Sequence, residues 1–224
     1  MKKTELSKTE TTADSSRKKA KKILIIIILS IVGVMAVLGI ASVIIDTLTK
    51  NDKKEFEVDY NFYPADYEEN IFENERYLAL IGEEFIKYTD SATNVTVGID
   101  KESAYEQGIE VQFIVDMLYD AINGDHEAYN ARFSDTYYED HLPKERFTMQ
   151  KIYDVNITYV SSEKISDGNY TKSIYCIEYK IYENNGTFRR DIGDGSKKQY
   201  FTLSTYSDGT ILVDGVSTVN IAKK

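Results

Sequence analysis

The sequence predicts an α+β protein: an N-terminal transmembrane helix, then helices packed on a curved, cone-like antiparallel sheet. Three observations carry this. Residues 23–45 (ILIIIILSIVGVMAVLGIASVII) hold no charge and no proline. Residues 100–123 carry apolar side chains at helical spacing. From Lys151 onward the period switches to two and the segments are punctuated by Asn-Gly and Asp-Gly turns.

The apolar run is the longest uncharged stretch of the chain. At about 1.5 Å per residue it spans roughly 34 Å as a helix, enough for a hydrocarbon core of about 30 Å. Residues 1–22 before it hold eight Lys/Arg against three acids, a net of +5, and lack apolar periodicity. This is expected to be a disordered basic tail held on the cytoplasmic side, with Arg17 to Lys22 facing anionic lipid. The whole chain is −10, and the run is uncharged, so residues 46–224 carry −15. The expected localisation is a single-pass cell-membrane protein with a cytoplasmic N-terminus and an extracytoplasmic C-terminal domain. The alternative is a cleaved signal, with Gly39-Ile40-Ala41 as the small-residue site. The acidic field excludes nucleic acid as a partner, because it repels phosphates.

Residues 46–99 read as an acidic connector. Glu55 to Phe62 alternates Phe56, Val58, Tyr60 and Phe62 with polar residues, an extended pattern that ends at Pro64. Asp66 to Tyr88 reads as one helix capped by Asp66, with Ile71, Asn74, Leu78, Ile81, Phe85 and Tyr88 on a 3-4 stripe. That stripe packs on the protein's own sheet or forms an oligomer seam with Asn74 setting register. A short strand is expected at Val95–Ile99.

The main domain occupies residues 100–222. Asp100 caps a helix running to Asn123-Gly124, with Ile114, Met117, Leu118, Ala121 and Ile122 on its buried face. Asp125 caps a shorter helix on which Tyr129 and Phe133 share a face. His141-Leu142-Pro143 is a loop. Four strands follow, at Lys151–Ser162, Thr171–Glu183, Phe188–Tyr206 (interrupted near Gly193-Asp194-Gly195) and Thr210–Ile221. Their turns fall at Asp167-Gly168-Asn169, Asn184-Asn185-Gly186 and Asp208-Gly209, and Gly215 marks a bulge.

Chemistry-bearing motifs are sparse. There is no HExxH, no cysteine pair and no glycine-rich phosphate loop, and Asp191-Ile192-Gly193-Asp194 is too short for a calcium loop. The two histidines, His126 and His141, fall at a helix start and in a loop. No Ser-His-Asp or Cys-His set can be assigned. No catalytic residue, metal site or cofactor is therefore expected, and the chain is not expected to be an enzyme. Cys176 is the sole cysteine and falls on a strand, as a buried inert thiol or an intermolecular partner. Asn94, Asn156, Asn169 and Asn185 begin N-x-S/T sequons, but a Lys/Ile/Asn/Tyr-rich chain without tryptophan has a low-GC bacterial composition. The 18 tyrosines stand out. Tyr129, Tyr153, Tyr159, Tyr175 and Tyr179 would face inward, either as core filling or as the aromatic walls of a pocket.

Helices followed by long hairpins that close on an Asp-Gly strand resemble the nuclear transport factor two-like superfamily. The matching pieces are Val111–Asn123, the Asn-Gly-Asp-His-Glu-Ala-Tyr turn ending at Tyr129, and the strand Asp208–Val219. The resemblance implies a bent sheet wrapped on helices. Relatives often place tryptophan after the closing turn, where this chain has Ile211-Leu212. A basic tail, one span and one such outer domain also resemble, in plan, the bitopic assembly component of type IV secretion and conjugation machines. That family's proline-containing signatures are missing. These resemblances imply a bacterial scaffold or assembly protein, with the bilayer, other envelope proteins or a second copy as partners. The alternatives are a ligand-binding or sensing module, and an enzyme similar to polyketide cyclases and dehydratases.

Overall fold

A computed structural model describes residues 60–82, 85–166 and 168–220, all within the compact unit Val58–Lys224. The expected tail, the apolar run 23–45 and the connector up to residue 59 lie outside the described residues. Among the described residues no helix is long and apolar enough to cross a membrane.

The frame is a six-stranded mixed sheet in the order β2-β1-β3-β4-β5-β6. The strands are β1 (Ile86–Asp90), β2 (Val95–Ile99), β3 (Ile152–Ile165), β4 (Tyr170–Ile181), β5 (Gln199–Tyr206) and β6 (Ile211–Ser217). β3 to β6 form the expected antiparallel meander. The β1–β2 hairpin extends it, with β1 running parallel to β3. The sheet is thus mixed, not purely antiparallel.

The expected helix Asp66–Tyr88 is corrected by the structure. Residues Ile71–Glu73 form a 3-10 turn, and α1 spans Glu75–Ile81. Asn74 caps this helix: its Oδ1 accepts the Tyr77 amide at 3.0 Å. α1 stops at Gly82, and the chain re-forms as β1. In β1, Ile86 and Tyr88 alternate into the core while Lys87 faces out. The six stripe residues therefore share no helix: Ile71 and Tyr88 are buried, and Leu78 is exposed.

The helices that follow cover one sheet face. Asp100 does not cap the helix as expected: its Oδ1 accepts the Ser103 amide at 2.7 Å in the turn 101–103, and the 3-10 turn at Ala104–Gln107 that follows has Ser103 at its cap position. Gly108, at φ 112°, breaks the chain before α2 (Ile109–Ile122). Ile114, Met117, Leu118, Ala121 and Ile122 are all buried, on the face the spacing predicted. They belong to one core with Ile86, Ile157, Ile177, Leu203 and Val213 from the sheet. Asp125 caps α3 (His126–Ala131), accepting the Ala128 amide at 2.9 Å, and α4 (Asp135–Tyr138) follows.

Two strand details matter for the site. Asp154 sits at φ 51° in a bulge of β3, where the register shifts between Tyr153 and Asn156. The expected third strand is shortened to β5, because residues 182–198 form a loop. Asn184 is buried there, and its Nδ2 donates to Arg189 O (3.1 Å) and Ile192 O (2.8 Å). Asn184-Asn185-Gly186 opens this loop instead of closing a tight hairpin. The bulge expected at Gly215 is present: Thr202 pairs with Gly215 and Leu203 with Val213, leaving Asp214 extra.

Candidate functional site

The tyrosines singled out by sequence do not form one wall. Along β4, Ser173, Tyr175, Ile177, Tyr179 and Ile181 point to the helices, and Ile174, Cys176 and Glu178 point away. Tyr175 and Tyr179 are buried in the core, and Tyr159 packs against its edge. Tyr159 and Tyr175 meet with ring centroids 5.5 Å apart. Tyr153 departs from the expectation. The Asp154 bulge reverses its direction, so it pairs with Lys180 on the other face, and Lys180 Nζ lies 5.8 Å from its ring centroid.

Below Tyr175 lies a carboxylate that sequence reading missed. Glu110, in the first turn of α2, accepts three hydroxyls from the sheet: Ser173 Oγ (2.9 Å), Tyr175 Oη (2.9 Å) and Thr205 Oγ1 (2.5 Å). The helix N-terminus favours its charge. Burial, and next the Glu110 charge, push the Tyr175 phenol far above its ordinary pKa. A protonated Tyr175 therefore remains a donor to Glu110. No sequence signal pointed to this cage, because its three donors lie 63 to 95 residues from Glu110.

Tyr129 belongs to a separate aromatic cluster. Its ring meets Phe188 edge-on at 5.1 Å, Phe147 edge-on at 6.0 Å and Phe133 at 5.2 Å. It also lines a cavity of about 120 Å³ with Asn130, Phe133, Tyr137, Tyr138, His141, Leu142 and Lys144. His141 stacks on Tyr137 at 4.3 Å, and its Nδ1 lies 3.0 Å from Tyr137 O. Lys144 Nζ donates to Phe188 O at 2.9 Å, and burial lowers its pKa.

A larger cavity of about 280 Å³ lies at the Ile181 end of β4. It is lined by Tyr63, Pro64, Asp66, Glu69, Met149, Gln150, Lys151, Ile181, Tyr182, Glu183 and Asn185. Lys151 is its chemical centre, another residue that sequence reading missed. It is nearly buried and bridges Glu69 (2.6 Å) and Glu183 (2.7 Å). Burial opposes its charge, but hydrogen bonds to Glu183 and Glu69 outweigh that cost and raise its pKa. An ammonium held charged by two carboxylates is a structural tie, not a nucleophile.

Other candidate chemistry is equally occupied. Burial raises the pKa of the half-buried Cys176 thiol, which disfavours the reactive thiolate. Arg189 makes a fork to Asp191 (2.8 and 2.7 Å) and donates to Gln199 (2.8 Å). Among the described residues no group of three His, Cys, Asp or Glu side chains could hold a metal ion. Every buried side-chain nitrogen or oxygen among the described residues has a hydrogen-bond partner. No family model, curated protein or solved structure matches this chain.

Proposed function

We propose that this protein is a membrane-anchored extracytoplasmic scaffold of a bacterial envelope machine, of the secretion or conjugation kind. The observation that carries the reading is the charge division across residues 23–45: +5 before the run and −15 after it. An uncleaved anchor would hold an acidic, folded domain at the outer membrane surface. The order of helix, hairpin, helices and meander supports a domain of the nuclear transport factor two-like kind. The interior supports a role without chemistry: Tyr175 donates to Glu110, and Glu110 is engaged by three hydroxyls. A cyclase- or dehydratase-type enzyme needs a free acid or base in that interior.

The test is recovery of the tagged full-length protein from detergent-solubilised membranes of its own host, followed by identification of co-purifying proteins. Envelope components of one machine are the expected result. Recovery in the soluble fraction, or from membranes without any envelope protein, overturns the reading. The cavity around Lys151 favours a second reading, a ligand-binding or sensing module. A thermal shift produced by a small-molecule panel, lost with Lys151→Met, would favour it over the scaffold.

A further inference from the structure

The two edges of the sheet are treated differently. Residues 132–134 run alongside β6: the Ser134 amide donates to Val213 O (3.0 Å), and the Val213 amide donates to Arg132 O (2.9 Å). Phe133 bridges to Val213, and the extra residue Asp214 bends the strand. Among the described residues the other edge, β2, pairs with β1 alone and without a register shift. It has no proline, no lysine and no bulge, the devices that ordinarily blunt an edge. Its sequence, Val95-Thr96-Val97-Gly98-Ile99, is uncharged within a strongly acidic domain. Val95 is 54% exposed, and the segment leaving β2 adds Tyr105 (65%) and Ile109 (58%). Val95 on β2, and Tyr105 and Ile109 on the chain that follows it, are thus exposed apolar side chains.

We propose that β2 pairs with β2 of a second copy of this chain, antiparallel about a two-fold axis at Val97. The two sheets then join into one. In this register Val97 opposes itself, Val95 opposes Ile99 and Thr96 opposes Gly98 of the second copy. Val95, Val97 and Ile99 share the face of Ile86 and Tyr88; Ile99 is already buried in its own core, so the exposed Val95 of each copy lies beside the edge of the other's core and the half-buried Val97 meets its counterpart. Beyond the strand, Asp100 meets Asn94 and Lys101 meets Thr93, so no like charges stand opposite one another. A domain of −15 repels its copies over most of its surface, and the uncharged edge is where two can approach. The contact is self-complementary and closed, so pairing stops at two. It does not rest on the proposed envelope role.

Disulfide trapping in the full-length protein, in whole cells and in a Cys176→Ser background, tests this. Opposed residues of an antiparallel pair have Cα atoms about 4.5–5.5 Å apart, within disulfide reach. Val97→Cys is expected to give a disulfide-linked dimer under mild oxidation. Thr96→Cys lies a diagonal step from its copy, about 7–8 Å away, and is expected to give none. Adding Thr96→Lys to Val97→Cys is expected to abolish the dimer. Sedimentation of the unmutated protein in detergent is expected to show a concentration-dependent dimer that Thr96→Lys shifts to monomer. The proposal is overturned by equal trapping of both cysteine variants, by trapping of a different protein, or by a monomer at all concentrations with no trapped Val97→Cys dimer.

Discussion

At the residue scale, the most specific feature is the carboxylate of Glu110 under three hydroxyls. A hydrogen bond to a charged acceptor contributes about 1.5–3 kcal/mol, a neutral one about 1 kcal/mol. Glu110→Gln keeps the shape but removes the charge, and its amide group presents donors to hydroxyls that were donating. It is expected to lower the unfolding free energy by about 2 kcal/mol, read from the urea midpoint at constant m. Tyr175→Phe removes one donor to the charge and leaves Ser173 and Thr205, so its loss is expected to be about 1.5–3 kcal/mol. An unchanged midpoint in Glu110→Gln would show that solvent serves the carboxylate as well as the sheet does. Neither the cage nor Lys151 was legible in the sequence. Both join groups far apart in the chain: Lys151 meets Glu183 across 32 residues, and Glu110 meets Thr205 across 95. Periodicity reports which side of a strand a residue takes, not which distant side chain it will meet.

At the element scale, the segment 60–66 is docked on the loop 182–198 through two glycines. A Cβ on Gly193 would sit 2.6 Å from Tyr60 Cδ1, and one on Gly186 would sit 2.9 Å from the Phe62 ring. The Tyr63 amide donates to Asn184 O at 3.0 Å between them. Gly193→Ala is expected to lift Tyr60 and raise the rate of proteolysis near residues 60–63, with little change in the urea midpoint. Gly186→Ala lifts Phe62 and also places a side chain at φ 72°, adding roughly 1–2 kcal/mol of backbone strain, so its midpoint should fall as well. Equal proteolysis of wild type and both variants would show that the aromatic contacts do not hold the segment. Elements were legible where one period runs unbroken, as in α2 and β4, whereas in β3 the Asp154 bulge breaks the period and Tyr153 was assigned to the wrong face. Residues 66–88 were misread because Ile81, Phe85 and Tyr88 fit a helical stripe while Ile86 and Tyr88 fit a strand. Gly82 was the unread stop that decides between them. The third strand was overextended for a similar reason: Asn184 and Arg189 order a loop that local alternation does not reveal.

At the scale of the whole molecule, the tyrosine content governs the response to alkali. Burial is the leading cause that raises the pKa of Tyr77, Tyr129, Tyr175 and Tyr179. Tyr77 is wholly buried, its hydroxyl donating to Ile152 O at 2.9 Å. In the unfolded chain these phenols ionise near their ordinary value of about 10. A folded-state pKa above the unfolded one gives a contribution that is complete below about pH 10 and is lost as pH rises beyond it. Each such tyrosine contributes a slope of about 1.4 kcal/mol per pH unit above that point, so four together approach about 5 kcal/mol per unit. Against a domain stability of about 5–15 kcal/mol, cooperative unfolding is expected within about one to three pH units above 10. Tyrosinate absorbance and far-ultraviolet circular dichroism, followed together through an alkaline titration, separate two outcomes. If the buried phenols hold the fold, a block of tyrosines ionises in the same step that melts the sheet. Tyr77→Phe would shift that step upward if its lost bond to Ile152 costs less than the proton linkage it removes. Smooth ionisation of every tyrosine near its ordinary value, with circular dichroism unchanged, would show that the phenols reach solvent and that the interior is looser than this packing requires.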